Sequence, residues 1–543
     1  MRLLKSAFFI AACLAAGAAE NPEVWKQARA NGARSEEMFA RTRRMLHGWL
    51  AHADPQTLLL PDRLPGVRRG APLPVYTPHN SGADNYPFLI LTSFFTDRAL
   101  YEGRMMEMLR NEIRHTNAAG GEIPGNLDFR THELGPPSFF GAGEYAKDGL
   151  IAVTELLGRT PWYWRMAGMM EDFRKRAPVK TRFGNLPDTG AELNGDVLQT
   201  LARLIPMTGD PALLAWAEQI AGAYVGEILP ANHWLPGYRW DFDKKTDTGY
   251  TRLRDHGNEM IVGLTLLYAL ERERGLPRAA DYGAAVRKML DRVLEAANPD
   301  GLLYNSVEIR TLAPKDTKLS DNWGYVYGSI YTFYQITGEE KYREAVRKVL
   351  ANLSKYRNWD WENGGMDGYA DSIESAIYLV NREPVAEAQD WIESEMKVLI
   401  NYQQPDGTIE RWYGDGNFNR TLLLYALMKT QGCSPDPWAP GLEVGAVRDG
   451  DRLYVSVHAA RAWKGALRFD YARHRRLFGY QKNYVRLNEW PEWFTVGENT
   501  LYRLEDPDGG REEVRVGSEL KQGFRLAVPA GATRRLIVRR YRP

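Results

Sequence analysis

The sequence predicts a mainly α-helical chain: a closed ring of six or seven helical hairpins followed by a small C-terminal β-sandwich. Three observations carry this. One pattern recurs to about residue 430, in which a polar or Gly-rich loop leads into an apolar helix, then a tight turn and a charged amphipathic helix. The apolar helices are apolar nearly all round, so they are buried on every side. From about Pro435 the period changes from helical spacing to alternation.

The apolar members fall at 84–95, 144–158, 191–209, 257–275, 322–338, 369–380 and 417–432, seven in all. Amphipathic members such as 210–229 and 339–356 keep apolar residues at i, i+3, i+4 and i+7 with Lys, Arg and Glu between, as a one-sided outer helix requires. The joins MTGDP and ITGEE share a Thr-Gly-acid turn, and glycines 158, 209, 275 and 338 mark successive turns. A repeat of about 45–65 residues built this way is a helical array. A linear array would expose one side of each inner helix, so closure into a ring fits the all-round apolar pattern better.

This pattern resembles the α/α-toroid, or six-hairpin, fold of many glycosidases and polysaccharide lyases. The resemblance covers about residues 22–432 and rests on the repeat and its turn signature rather than on a diagnostic motif. It implies a carbohydrate-active enzyme.

The remaining segments complete the organisation. Residues 1–19 have basic Arg2 and Lys5, an apolar run too short to span a bilayer and an Ala16-Gly17-Ala18 cleavage site, the make-up of a signal peptide. Ile10-Ala11-Ala12-Cys13 is also similar to a lipobox, which would anchor the chain at Cys13; both alternatives put the protein outside the cytoplasm, secreted or periplasmic. The expected domains are then 20–433 for the helical ring and 434–543 for the sandwich. Within the latter, RLNEWPEWFTV (486–496) breaks the alternation and reads as a loop packed on the ring.

Composition narrows the function. With 70 Lys+Arg against 69 Asp+Glu, no bulk charge draws the chain to nucleic acid or an anionic membrane. Two cysteines build neither a disulfide framework nor a thiolate metal cluster. Phosphate loops, nucleophile elbows and H-E-x-x-H helices are absent. The expected partner is an oligosaccharide or polysaccharide; no cofactor is expected, with a carboxylate-bound structural calcium left open.

In a closed ring the inner helices run the same way, so the loops before their N-termini converge on one mouth. Each start is rich in carboxylates, amides, Tyr or Trp, beyond the single residue that an N-cap needs. Glu192, Glu259, Asp321 and Asp371 form the pool for an acid and a base, because glycoside hydrolysis needs one carboxyl to protonate the leaving oxygen and another to activate water or attack the anomeric carbon. His256, between Asp255 and Glu259, joins the catalytic candidates. Asp84, Asn85, Asn194, Asp196, Trp240, Arg254, Trp323, Tyr325, Glu374, Trp412 and Arg420 are the expected substrate contacts, aromatics for sugar faces and polar groups for hydroxyls. A second reading is a polysaccharide lyase, in which His256, Asn194, Tyr250, Arg254 and Tyr325 would neutralise a uronate and abstract its C5 proton. A third is a glycan-binding protein without turnover.

Overall fold

The computed structural model describes residues 22–64, 74–117, 120–361, 365–409, 416–486 and 488–542. The expected leader with Cys13 and the loop residue Trp412 lie outside them.

The inner wall consists of α2 (Tyr86–Thr96), α4 (Ile151–Leu157), α6 (Ala191–Thr208), α8 (Glu259–Arg274), α10 (Trp323–Thr337), α12 (Met366–Val380) and α14 (Asn417–Thr430). Each is sheathed by a partner from the outer layer: α3 (Met106–Thr116), α5 (Pro161–Arg176), α7 (Pro211–Ala223), α9 (Ala279–Glu295), α11 (Glu340–Asn352) and α13 (Ala386–Leu399). The outer partner of α14 is the first helix of the chain, α1 (Pro22–Leu50), so the two ends of the ring domain close it. Among the described residues, seven hairpins therefore form the ring. In α8 every residue from Glu259 to Glu271 is buried, whereas α11 buries only Tyr342, Val346, Val349 and Leu350, one face at i, i+4, i+7 and i+8.

Contact can be followed from wall helix to wall helix around the circle. A Cβ on Gly149 would meet Pro87, one on Gly143 would meet Leu193, and one on Gly324 would sit 2.4 Å from Ser375. The Asn258 amide donates to Asn322, Thr421 Oγ1 donates to the Ala370 carbonyl, and Asn419 Nδ2 donates to Thr92 across the closing seam. Between α6 and α8 the backbones nearly touch: a Cβ on Gly195 would stand 2.2 Å from the Glu259 carbonyl carbon. Replacing Gly195 with Ala is thus expected to overpack the wall and cost about 1–3 kcal/mol, read as a lowered thermal midpoint; an unchanged midpoint would refute the close approach.

The turn signature holds with one difference. Gly209, Gly275 and Gly338 end their helices in the left-handed conformation, at φ 70°, 62° and 75°. Asp210 caps α7 by accepting from the Ala212 amide, but Glu339 makes no cap and instead pairs with Arg287.

The C-terminal strands are β1 (Ser434–Asp436), β2 (Leu442–Asp449), β3 (Arg452–Ala459), β4 (Trp463–Arg468), β5 (Leu501–Asp506), β6 (Arg511–Val516), β7 (Phe524–Val528) and β8 (Ala532–Arg540). They form antiparallel sheets in the orders β2-β3-β8-β5-β6 and β1-β4-β7. The alternation of β3 divides its residues: Leu453, Val455 and Val457 enter the core shared by both sheets, while Tyr454 faces Trp25 of α1.

Between β4 and β5 the chain leaves the sandwich. After a short helix, α15 (Arg473–Phe478), residues 479–486 and 488–493 cross the end of the ring opposite the mouth. Tyr480 donates to the Ala202 carbonyl, the Val485 amide to Thr332, Arg382 to Glu489, and Trp490 to the Ala152 carbonyl. Arg486, 1 % exposed, holds Glu155 of α4 with both Nε and Nη2 at 2.9 Å. This loop is packed on the ring as expected from its broken alternation, but it works as a plug.

Candidate functional site

The seven inner helix starts enclose a cavity of about 660 Å³ at the mouth of the ring. Carboxylates dominate its lining, including Asp62, Asp84, Glu144, Asp148, Glu192, Asp255, Glu259, Asp367 and Asp371. Among the described residues its aromatic lining is confined to Phe140, Tyr325 and the imidazoles of His79 and His256.

One half of the site is organised around a buried lysine. A π-helical turn, Tyr145–Leu150, sets Lys147 and Asp148 side by side at the head of α4. Lys147 Nζ lies 3.0 Å from Asp148, 3.4 Å from Asp196 and 3.7 Å from Glu144. Burial opposes its charge, yet these carboxylates hold it firmly protonated. Burial likewise opposes ionisation of Asp148, but Lys147 and a hydrogen bond from Glu144 bring its carboxyl below the ordinary range. The neighbours go the other way. Burial, then repulsion by Asp148, pushes Asp84 well above the usual carboxylate range. Burial raises Glu144 well above its usual value, Asp196 to about 7 and Glu259 to about 8, with Lys147 pulling against the shift in each case.

The other half is a lattice of ion pairs. Arg254 reaches Asp255 at 3.2 Å and Asp321 at 3.5 Å; Arg420 reaches Asp371 at 2.8 Å and also holds Glu374. Oxygens of Asp255, Asp321 and Asp371 lie within 4.8 Å of one another, the one carboxylate triad of metal-binding spacing among the described residues. Arg254 and Arg420 already pair with these carboxylates, so an added calcium would compete with them. His256 sits at the rim with φ +67°, its Nδ1 against Glu192 and its amide donating to Glu259 at 3.1 Å. Burial works against its charge, but Glu192 and Asp255 outweigh it and lift its pKa to about 9.

The expected residues separate into three groups. Glu192, Glu259, Asp371, His256, Asp84, Arg254, Tyr325 and Arg420 line the cavity. Asp321, Asp196 and Glu374 stand just behind them, each against one of the lining cations. Asn85, Asn194, Trp240 and Trp323 do not line it. Asn85 is wholly buried before α2. Asn194 closes its own helix start by donating to the carbonyls of Asp188 and Gly190. Trp240 is buried and donates to Glu227; Trp323 is buried in the wall and donates to Ser372 of α12. Both indoles serve packing.

Sequence reasoning passed over Lys147, Asp148 and Glu144, although a Lys-Asp pair inside an apolar helix is the same signal that singled out Glu192. It also passed over Asn488, a plug residue whose amide reaches the cavity floor, for which the sequence offers no signal.

The raised carboxyls fix a pH dependence of stability. Asp196, Glu259 and Glu374 titrate near 7, 8 and 7 in the folded chain against 3.8, 4.5 and 4.5 ordinarily, so across that window the folded state binds more protons than the unfolded. Stability must then fall as pH rises. The thermal midpoint is expected to drop between about pH 5 and about pH 8, and Glu259→Gln to flatten the slope; a midpoint that climbs over this range would contradict the assignment.

No protein-family model matches the chain, and no curated protein matches it in sequence. Solved structures with a similar fold include a sugar epimerase from a ruminal bacterium, 12% identical over 59% of this chain and 87% of that one, TM-score 0.41. An inactive variant of a Salegentibacter α-1,6-mannanase in complex with α-1,6-mannotriose is 11% identical over 59% and 96%, TM-score 0.41. The unsaturated glucuronyl hydrolase from Bacillus is 13% identical over 53% and 85%, TM-score 0.38.

Proposed function

We propose that the chain is a glycoside hydrolase acting on an oligosaccharide or polysaccharide outside the cytoplasm, with Asp84 as general acid and Asp148 as the ionised partner. The observation that carries the reading is that two carboxyls of one cavity are driven to opposite protonation states, Asp84 upward and Asp148 downward. Pairs pushed apart in this way divide the roles of acid and base between them. Asp84 donates its proton to the leaving glycosidic oxygen. Asp148, held ionised beside Lys147, activates water or attacks the anomeric carbon. Glu259, protonated near neutrality, and the Arg254 and Arg420 lattices supply donors and acceptors for sugar hydroxyls.

The earlier pool is narrowed by its partners. Asp321 is committed to Arg254 and Glu192 to His256, while Asp371 pairs with Arg420 yet is pushed well above the usual carboxylate range by burial and by Asp367, so it stands as a second proton donor of the cavity. The lyase reading loses support from the same geometry. Burial and the Asp371 charge keep the Tyr325 hydroxyl well above its ordinary pKa, His256 is cationic, and Asn194 is spent on its own helix start. None of these is poised to abstract a C5 proton.

The test is incubation of the purified chain with a panel of neutral and acidic glycans, with products followed by reducing-end release and ultraviolet absorbance. New reducing ends without a C4–C5 double bond are expected. An absorbing unsaturated product would establish the lyase instead, and affinity without turnover the binding protein.

A further inference from the structure

We propose that Asn488, carried by the C-terminal domain, is a positioning residue of the ring's active site, its amide clamping the Asp148 carboxylate and the Tyr325 hydroxyl at the floor of the cavity. This rests on the reading of Asp148 as the ionised carboxylate of a hydrolase.

The geometry is specific. Asn488 Nδ2 donates to Asp148 Oδ1 at 2.5 Å, and Asn488 Oδ1 lies 3.4 Å from the Tyr325 hydroxyl, whose single proton it shares with Asp371 Oδ1 at 3.3 Å. One amide thus offers a donor to a carboxylate and an acceptor to a phenol, which a carboxylate or an amine in its place could not do. The residue is 1 % exposed yet lines the cavity with both of its partners. Its backbone has φ +58°, a left-handed conformation that Asn tolerates and most residues do not, so the chain turns sharply to deliver this side chain.

That turn is anchored on each side. Arg486 donates to the Asn488 carbonyl at 2.9 Å and to the Lys147 carbonyl at 3.3 Å while holding Glu155, and Arg382 holds Glu489. The plug therefore grips the helix that carries Lys147 and Asp148 along two turns of its length. An amide hydrogen bond to the charged form of a buried carboxylate favours ionisation and fixes the direction of its lone pairs. Catalytic geometry in the ring is on this account completed by a residue 340 positions away in the chain. The same contact makes the C-terminal domain part of the active site rather than an appendage.

Asn488→Gly is the informative variant, because glycine adopts φ +58° without strain and removes the amide together with its single methylene. Asn488→Asp keeps the shape and sets a second carboxylate against Asp148. With a turned-over glycan, the acid limb of the kcat profile is expected to move up by about one pH unit in Asn488→Gly and further in Asn488→Asp, with the thermal midpoint of Asn488→Gly close to the wild type. An acid limb unmoved in both variants would overturn the proposal. If no glycan is turned over, the hydrolase reading fails by itself, and infrared pH-difference spectra, with the Asp148 band assigned through Asp148→Asn, still decide the clamp. A higher protonation midpoint for Asp148 in Asn488→Gly upholds it, and an identical midpoint refutes it.

Discussion

Asp148→Asn is expected to lower kcat by about 10³-fold with KM nearly unchanged, since Asn keeps the shape and hydrogen-bonding reach of the side chain and removes only its charge. Asp84→Asn should cost a similar factor on substrates with a poor leaving group and much less on an aryl glycoside, whose leaving oxygen needs little protonation. That contrast separates the acid from its partner. The wild-type pH profile should be bell-shaped, with an acid limb below the ordinary aspartate value of 3.8 and a basic limb well above it. The two limbs belong to the coupled pair, so Asp148→Asn should move the basic limb as well as abolish the acid one. Full activity in both single variants would remove the pair from the reaction and return attention to Glu259 and Asp371.

Much of the architecture was legible because burial writes itself into helical period. All-round apolar helices could only be an inner wall, and the turn glycines at 209, 275 and 338 marked where each hairpin reverses. The count of seven inner helices was legible too. What the sequence did not disclose is that the seventh has α1 as its outer partner, because adjacency of the two chain ends leaves no local trace. The site was legible in part for the same reason. Carboxylates at buried helix starts are costly without a partner, and that argument led to Glu192 and Glu259 in the cavity and to Asp196 and Glu374 just behind it.

It failed for Trp240 and Trp323. An indole at a helix start looks the same in sequence whether it faces a sugar or, like Trp323, the next helix of the wall. It failed for Asn488 for a different reason. The value of that residue arises only from the fold of the plug across the ring, between partners 163 and 340 positions away. The expected role of Asn194 failed because its side chain bonds back to the backbone before its own helix, donating to the carbonyls of Asp188 and Gly190 rather than reaching a ligand.

Lys147→Met should have the largest effect on the molecule as a whole. The lysine is the cation shared by Glu144, Asp148 and Asp196, and Glu259 feels its charge as well. Methionine fills nearly the same space, so the change isolates charge from packing. Removing one partner from a buried ionic cluster leaves uncompensated charge and costs about 3–5 kcal/mol. The cost must depend on pH, and its sign follows from Asp148. In the wild type the carboxyl is held below 3.8, so it adds stability at neutral pH that is lost only as the pH falls through its folded value. Without Lys147 its folded value rises above 3.8, and the same carboxyl then takes stability away as pH increases. The loss in thermal midpoint should accordingly be smaller near about pH 5, where Glu144, Asp196 and Glu259 are protonated and only Asp148 loses its partner, and largest near about pH 8. Turnover should fall with it, because a protonated Asp148 is no longer the partner that Asp84 requires. A destabilisation equal at both pH values would mean that Lys147 acts by packing alone, and the division of protonation states on which the hydrolase reading stands would lose its physical cause.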